Sequence, residues 1–202
     1  MAAGRTEAVR QVVELLEMGL PEGWVVVSNP RLGNARPDVF AFNPDAGVAV
    51  YTICDWVPGS PVRRYDSDAL AIVAETRGGG WMPVSNPMGQ VNVHREALEE
   101  IFDVGEPVRS KITAGIVMTG FPVADANRLL GGVIRNDEKN FQGHKFLRVI
   151  GREQLENGDI EAFLPAAFEA GRQCQLSEGA VERIRDWIGP STDREMIPGD
   201  LL

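Results

Sequence analysis

The stretch RPDVFAFNPDAGVAVYTICDW, from Arg36 to Trp56, decides the fold. It contains two β-like runs, PDVFAF (37–42) and GVAVYTIC (47–54), and the NPD between them (43–45) favours a turn. The second run is apolar or neutral at nearly every position, which is typical of a strand buried on both faces of a sheet. The sequence therefore predicts two successive antiparallel strands, of which the second lies inside a covered sheet.

Elements on both sides of this stretch complete an α/β pattern. Residues 6–18 predict an amphipathic helix with Thr6 as its N-cap, because apolar side chains recur along it at helical spacing. The run WVVVS (24–28) predicts an earlier strand. A second helix is predicted from residue 87 to about residue 102, with Asn86 as its N-cap and a proline at its first position.

The rest of the chain adds two strands and a helical end. KITAGIVM (111–118) and FLRVI (146–150) predict the strands, and Ser177 is predicted to cap the last helix. Residues 57–84 are rich in Gly, Pro, Asp and Arg and predict an insertion with a small hairpin, of which LAIVAET (70–76) is one strand. The predicted order is α-β-β-β-(insertion)-α-β-β followed by helices, which is a mixed α/β sandwich.

Composition limits the class of protein. No run approaches the ~18 apolar residues that a membrane span needs, and the first residues contain no apolar segment of the secretory type. The two cysteines, Cys54 and Cys174, suit neither a disulfide framework nor a zinc site. We therefore expect a cytoplasmic protein that does not enter a membrane.

Charge is unevenly spread along the chain. The net charge of -9 argues against a broad nucleic-acid-binding surface, which is normally basic. However, residues 151–202 hold 5 basic and 11 acidic side chains, whereas residues 1–150 hold 15 and 18. The first three quarters of the chain therefore leave room for a local basic groove.

Three side chains stand out as chemical candidates. Asp38 opens a strand in an otherwise apolar run, so it is either a strand-edge residue in a turn or a buried acid that needs a partner or a metal. Cys54 could be a nucleophile with His94 or His144 as its base, but its interpretation as a small buried hydrophobe is favoured. His94 follows Gln90 by one helical turn and shares its face, although a structural helix histidine is the commoner case.

A resemblance connects these residues. LPEGW (20–24), the stretch 36–56 and NPMGQVNVHREAL (86–98) resemble, in order and spacing, the motifs of the nuclease-related domain (NERD) family of the PD-(D/E)XK group. The resemblance covers residues 6–151. It implies a restriction-endonuclease-like α-β-β-β-α-β-β core. Residues 152–190 are then a helical extension, and residues 191–202 are a tail or linker.

The resemblance also implies a set of site positions. Glu7 matches the acid of the first helix, Asp38 matches the metal-binding Asp, and Gln90 matches the N-P-x-x-Q motif. Where the family has Glu-x-Lys, this chain has Thr52-Ile53-Cys54. If any nuclease activity remains, Asp38 and Glu7 are the expected ligands of Mg²⁺ or Mn²⁺.

The change at residues 52–54 removes chemistry that phosphodiester hydrolysis needs. Mg²⁺ requires hard oxygen ligands, and a lysine in the family's position stabilises developing charge. Thr52 offers a neutral hydroxyl and Cys54 a soft sulfur. Asp55 cannot simply replace residue 52, because strand neighbours point to opposite faces. We therefore expect that hydrolysis is lost.

The resemblance implies binding or processing of DNA or RNA, as a module attached to a helicase or another DNA-processing enzyme. Arg36, Arg63, Arg64 and Trp56 are the candidates for contact with nucleic acid, although an exposed arginine pair and a buried tryptophan are the commoner explanations. Two alternatives stay open. One is residual metal-dependent cleavage, and the other is a protein-interaction scaffold that uses the acidic helical segment 153–189.

Overall fold

The structure is a computed structural model that describes residues 2–58, 62–68, 71–102, 112–140, 147–163 and 175–188. Within these ranges the chain forms eight strands and six helices. The strands are β1 Val25–Ser28, β2 Val39–Asn43, β3 Gly47–Cys54, β4 Val62–Ser67, β5 Ile72–Thr76, β6 Trp81–Val84, β7 Ile112–Met118 and β8 Leu147–Gly151. The helices are α1 Ala2–Gly19, α2 Pro87–Glu99, α3 Val123–Asn140, α4 Arg152–Glu156, α5 Ile160–Phe163 and α6 Glu178–Ile188.

Five strands form one mixed sheet in the order β1-β2-β3-β7-β8. β1, β2 and β3 are antiparallel neighbours, whereas β7 runs parallel to β3 and β8 runs parallel to β7. Every residue of β3 and β7 is buried, as expected for strands that are covered on both faces. The chain is thus an α/β protein built on a mixed sheet.

The turn between β2 and β3 forms where the sequence predicts it. Asn43 pairs with Gly47 across the two strands, and the Asn43 side chain accepts a hydrogen bond from the backbone N–H of Asp45 at 2.8 Å. Gly47 has a φ of 94°, a conformation that glycine adopts without strain. This turn sets the register that places the start of β2 beside the end of β3.

Two apolar clusters cover the two faces of the five-stranded sheet. Alternate residues of β2 divide between them, with Phe40 in one cluster and Val39 in the other. Helices α2, α3 and α6 contribute to the cluster that contains Phe40. Helices α1, α4 and α5 contribute to the cluster that contains Val39. Helix α6, the last helix among the described residues, therefore packs on the same core as α2 and α3.

The second helix and the last helix are capped as predicted. The side chain of Asn86 accepts a hydrogen bond from the backbone N–H of Met88 at 3.0 Å, with Pro87 at the first helical position. The Ser177 hydroxyl accepts one from the backbone N–H of Ala180 at 3.2 Å. Both caps satisfy backbone donors that a helix cannot pair internally.

Three sequence predictions need correction. Helix α1 begins at Ala2, so Thr6 lies inside the helix and is not its N-cap. The predicted order lacks helix α3, which lies between β7 and β8. Parallel neighbours need a crossover connection, and α3 supplies it. The insertion forms a complete three-stranded antiparallel sheet, β4-β5-β6, instead of a single hairpin.

An aromatic contact joins the three-stranded sheet to the rest of the molecule. The ring of Trp56 stacks on Tyr65 of β4, with centroids 5.5 Å apart and planes at 11°. Tyr65 in turn meets the ring of Phe121 edge-on at 5.5 Å.

Among the described residues, no helix is long and apolar enough to cross a membrane. His144, Cys174 and the predicted tail 191–202 lie outside the described residues.

Candidate functional site

Asp38 is buried immediately before β2 and is held by three hydrogen bonds. It is 5% exposed. Its Oδ1 accepts from Arg5 Nε at 2.9 Å, and its Oδ2 accepts from Arg5 Nη2 at 2.9 Å. The backbone N–H of Ile53 donates to the same Oδ2 at 2.7 Å. These donors explain how a carboxylate is kept in an apolar setting.

The first helix presents an arginine, and not the expected acid, to Asp38. Arg5 lies in the first turns of α1, and 43% of its side chain is exposed. Glu7 binds elsewhere on the same helix, with its carboxylate 2.6 Å from Arg10 Nη2 and 3.1 Å from Gln11 Nε2. The hydrogen bond from Arg10 lowers the pKa of Glu7. Glu7 is exposed and does not join the group around Asp38.

Thr52 and Cys54 lie on one face of β3, and neither replaces the chemistry of Glu-x-Lys. Thr52 is 1% exposed, and its Oγ1 lies 3.4 Å from His94 Nδ1. Cys54 belongs to the apolar cluster shared with α2, α3 and α6. Burial raises the pKa of the Cys54 thiol to about 12, and the charge of Asp38 adds to the shift. The protonated thiol is a poor nucleophile, so the structure favours the interpretation of Cys54 as a small buried hydrophobe.

His94 is buried on α2, where its Nδ1 lies 3.4 Å from the Thr52 hydroxyl. It is 5% exposed. Burial lowers the pKa of His94, opposed by the nearby charge of Asp38 and by a hydrogen bond to the backbone of Arg36. Desolvation is the largest cause, so the imidazole is preferentially neutral. His94 and Gln90 share one helix face, as predicted, and both line the same cleft.

The shifted histidine predicts a pH dependence of stability. The pKa of His94 is lowered in the folded chain, so below about pH 6.5 the unfolded chain binds the proton more readily. The contribution of His94 is therefore complete above that pH and falls as the solution becomes more acidic. Denaturant unfolding should show that the free energy of unfolding falls less for His94→Gln than for the wild type when the pH is lowered from neutral to mildly acidic. Equal losses in the two proteins would contradict this assignment.

A cleft of about 250 Å³ opens beside Asp38, between the beginning of α1, the segment before β2 and the first turns of α2. Two arginines and a histidine line it, and its lining includes no carboxylate. The lining residues are Arg5, Arg36, Ser85, Asn86, Gly89, Gln90, Val93 and His94. The N-terminus of the 13-residue helix α2 also lies here and adds partial positive charge. On a chain with a net charge of -9, this is a local cationic cleft.

The cleft combines predicted and unpredicted residues. Gln90 and Arg36 are among the residues that the sequence singled out. Arg5 is not, because its residue type and position give no signal that it would bind Asp38. Val93 is 49% exposed and supplies an apolar wall. Gly89 borders open space, since a Cβ on this residue would meet no atom within 4 Å.

The residues around Asp38 do not fit Mg²⁺ or Mn²⁺. These ions take several hard oxygen ligands. Both carboxylate oxygens of Asp38 are already hydrogen-bonded, and Thr52 supplies only a neutral hydroxyl. In the described part of the chain, no group of three or more His, Cys, Asp or Glu side chains is placed to hold a metal ion.

The other proposed nucleic-acid contacts lie outside this cleft. Arg63 and Arg64 of β4 pair with Glu75, at 3.6 Å and 2.6 Å. The Arg64 guanidinium also lies 5.2 Å from the centre of the Trp81 ring. Trp56 is half-buried in its stack with Tyr65. The structure therefore places these residues in and around the three-stranded sheet and not with Asp38.

Comparisons of the chain with protein-family models, curated proteins and solved structures find no match. Its function must therefore be inferred from the charge, burial and shape of its own cleft.

Proposed function

We propose that this chain is a nuclease-related domain that binds nucleic acid without hydrolysing it, and that the cleft beside Asp38 contacts phosphate groups. The observation that carries the proposal is the lining of the cleft, which combines two arginines with no carboxylate; one of them, Arg36, has no acidic partner among the described residues. The order of the motifs at residues 20–24, 36–56 and 86–98 supports the nuclease-related assignment. The antiparallel β1-β2-β3 meander followed by two parallel strands is compatible with it.

The charge distribution favours a small footprint. Arg36 is exposed and has no acidic partner among the described residues, so its charge is available to a phosphate. The chain as a whole carries a net charge of -9, which repels a polyanion. For single strands, the logarithm of the binding constant falls by about 0.7 per decade of salt for each phosphate neutralised. One or two contacts therefore give a slope of roughly -0.7 to -1.4.

The size of the cleft favours a flexible strand over a duplex. Its volume of about 250 Å³ is smaller than an ordinary small-molecule pocket. A phosphate with part of its sugar fits such a space, and a single strand can bend to present one. The exposed Val93 side chain offers an apolar contact for the sugar or base beside that phosphate.

The same residues support the loss of hydrolysis in this proposal. Asp38 is committed to Arg5 and to the backbone of Ile53. Thr52 and Cys54 provide neither a metal ligand of the required kind nor a cation. A strand-cleavage assay in Mn²⁺ with an Asp38→Ala control tests this point. Cleavage that occurs in the wild type and disappears in the variant would favour the enzymatic alternative.

Arg36→Gln tests the binding proposal directly. We expect single-strand affinity to fall by about fivefold to tenfold and the salt slope to shrink by about 0.7. Arg185→Gln is the matched control, because Arg185 is also exposed but lines a different cleft. Fluorescence anisotropy with single-stranded DNA, double-stranded DNA and RNA at two salt concentrations measures both quantities. Absence of salt-dependent binding to any of them, or equal losses in the two variants, would refute the proposal.

A further inference from the structure

We infer that Arg5 donates hydrogen bonds to the phosphate oxygens in this cleft and that Asp38 is its positioning residue. Binding of the phosphate therefore needs no divalent ion. This role of Arg5 and Asp38 rests on the proposed function, which does not say which groups of the cleft bind the phosphate oxygens. Both oxygens of the Asp38 carboxylate, just before β2, are committed to hydrogen bonds and are not available to a metal ion. The carboxylate holds a guanidinium, which then provides the fixed positive group of the cleft.

The geometry of the pair leaves part of the guanidinium free for a ligand. Asp38 accepts from the Nε and Nη2 groups of Arg5, at 2.9 Å each. A guanidinium carries five N–H donors in one plane, so the Nη1 group remains for a partner. Arg5 lines the cleft, and 43% of its side chain is exposed. A second oxyanion can therefore approach the Nη1–Nη2 edge of the same plane.

The position of Asp38 makes the arginine rigid. Asp38 is 5% exposed and is itself anchored by the Ile53 N–H at 2.7 Å. Two hydrogen bonds to a fixed carboxylate hold the Arg5 plane in one orientation, so little side-chain freedom is left to lose when a ligand binds. This is the reason to assign Asp38 a positioning role instead of a purely stabilising one.

Arg5 and Arg36 then have different functions. The Arg5–Asp38 pair has no net charge, so it contributes directed N–H donors more than long-range attraction. Arg36, which has no acidic partner among the described residues, supplies the net charge. Directed donors of this kind suit the oxygens of a phosphate, which accept hydrogen bonds in the plane of a guanidinium fork.

The test uses the full chain and a fluorescent single-stranded DNA. We expect the wild type to bind at least as well in excess EDTA as in excess Mg²⁺, since Mg²⁺ competes for the phosphates. Arg5→Gln and Arg5→Lys should both weaken binding by about tenfold, because lysine keeps the charge but not the planar fork. Arg10→Gln, on the same helix but paired with Glu7 and Glu14, should bind like the wild type. A morpholino strand of the same sequence, whose linkages carry no charge, should not bind.

Asp38→Asn separates positioning from folding. Asparagine keeps an acceptor for the Ile53 N–H but cannot hold Arg5 by charge. We expect weaker binding in protein that still unfolds cooperatively in denaturant. The salt slope should not be smaller than that of the wild type, because the substitution removes a negative charge beside Arg5. If Arg5→Lys or Asp38→Asn binds like the wild type, the inference is overturned. Tighter binding in Mg²⁺ that is lost in Asp38→Asn would also overturn it, in favour of a metal site.

These outcomes separate the inference from the function on which it rests. If the wild type binds no strand, the proposed function fails. If the wild type binds in a salt-dependent manner and Arg36→Gln weakens binding but Arg5→Gln does not, only the role of Arg5 fails.

Discussion

Tyr51→Ala is expected to lower the free energy of unfolding by about 3–5 kcal/mol, because it empties a large site at the centre of the sheet. Tyr51 lies in β3 and is fully buried. Its ring lies 5.9 Å from that of Phe163, and its hydroxyl donates to the Phe163 carbonyl at 2.5 Å. The substitution therefore removes packing and leaves a buried carbonyl without its donor. Denaturant unfolding followed by circular dichroism measures the loss.

Two further variants check that explanation. Tyr51→Phe keeps the ring and loses only the hydroxyl, so it should cost about 1–3 kcal/mol. Gly115 lies directly across from the ring, and a Cβ there would stand 2.4 Å from Tyr51 Cδ1. Gly115→Ala should therefore be destabilising in the wild type and much less so in Tyr51→Ala. Additive effects in this double-mutant cycle would show that the two residues do not share the space.

Gly120→Ala is expected to destabilise the fold by about 3 kcal/mol, since the methyl group has no room. A Cβ on Gly120 would stand 1.9 Å from the Trp56 carbonyl oxygen and 2.9 Å from the Val57 Cα. Both are backbone atoms, so no flexible side chain can move aside. The segment that must shift carries Trp56, whose ring connects the two sheets through Tyr65.

A glycine on α2 provides the control. A Cβ on Gly89 would meet nothing within 4 Å, and the residue lies inside a helix. Gly89→Ala should therefore be neutral or stabilise the protein by about 0.5–1 kcal/mol. Denaturant unfolding, followed by tryptophan fluorescence, should give a lower free energy of unfolding for Gly120→Ala and an equal or higher one for Gly89→Ala. If the two variants have similar free energies of unfolding, the close contact at Gly120 relaxes easily.

Much of the central fold follows from local sequence signals. The predicted run 47–54 coincides with β3, since its apolar residues give a strand buried on both faces. The cap at Asn86 is equally local, because the side chain bonds to the backbone two residues later. Helix α3 was missed, although Ala126, Leu129, Leu130 and Val133 are buried at helical spacing. The Gly131-Gly132 pair inside this run lowers its helix propensity and obscures the pattern.

The site was less predictable, because it depends on how elements meet. Asp38, Thr52 and Gln90 lie on elements whose position follows from the sheet. Arg5 and Glu7 are two residues apart and point about 200° apart around the helix axis, so only one of them can face Asp38. Which one does so depends on the rotation of α1 against the sheet, and the residue pattern alone left that rotation unresolved.

The hydrogen bonds around Asp38 also have a consequence for the order in which the molecule assembles. The bond from Ile53 closes a loop of 15 residues, within one hairpin. The bonds from Arg5 span 33 residues, and the contact between Thr52 and His94 spans 42. Because long loops cost more entropy to close, the hairpin with its acid can form before the arginine and the histidine arrive. The cationic cleft is then among the last features to be completed, and a ligand bound there stabilises only the fully assembled chain.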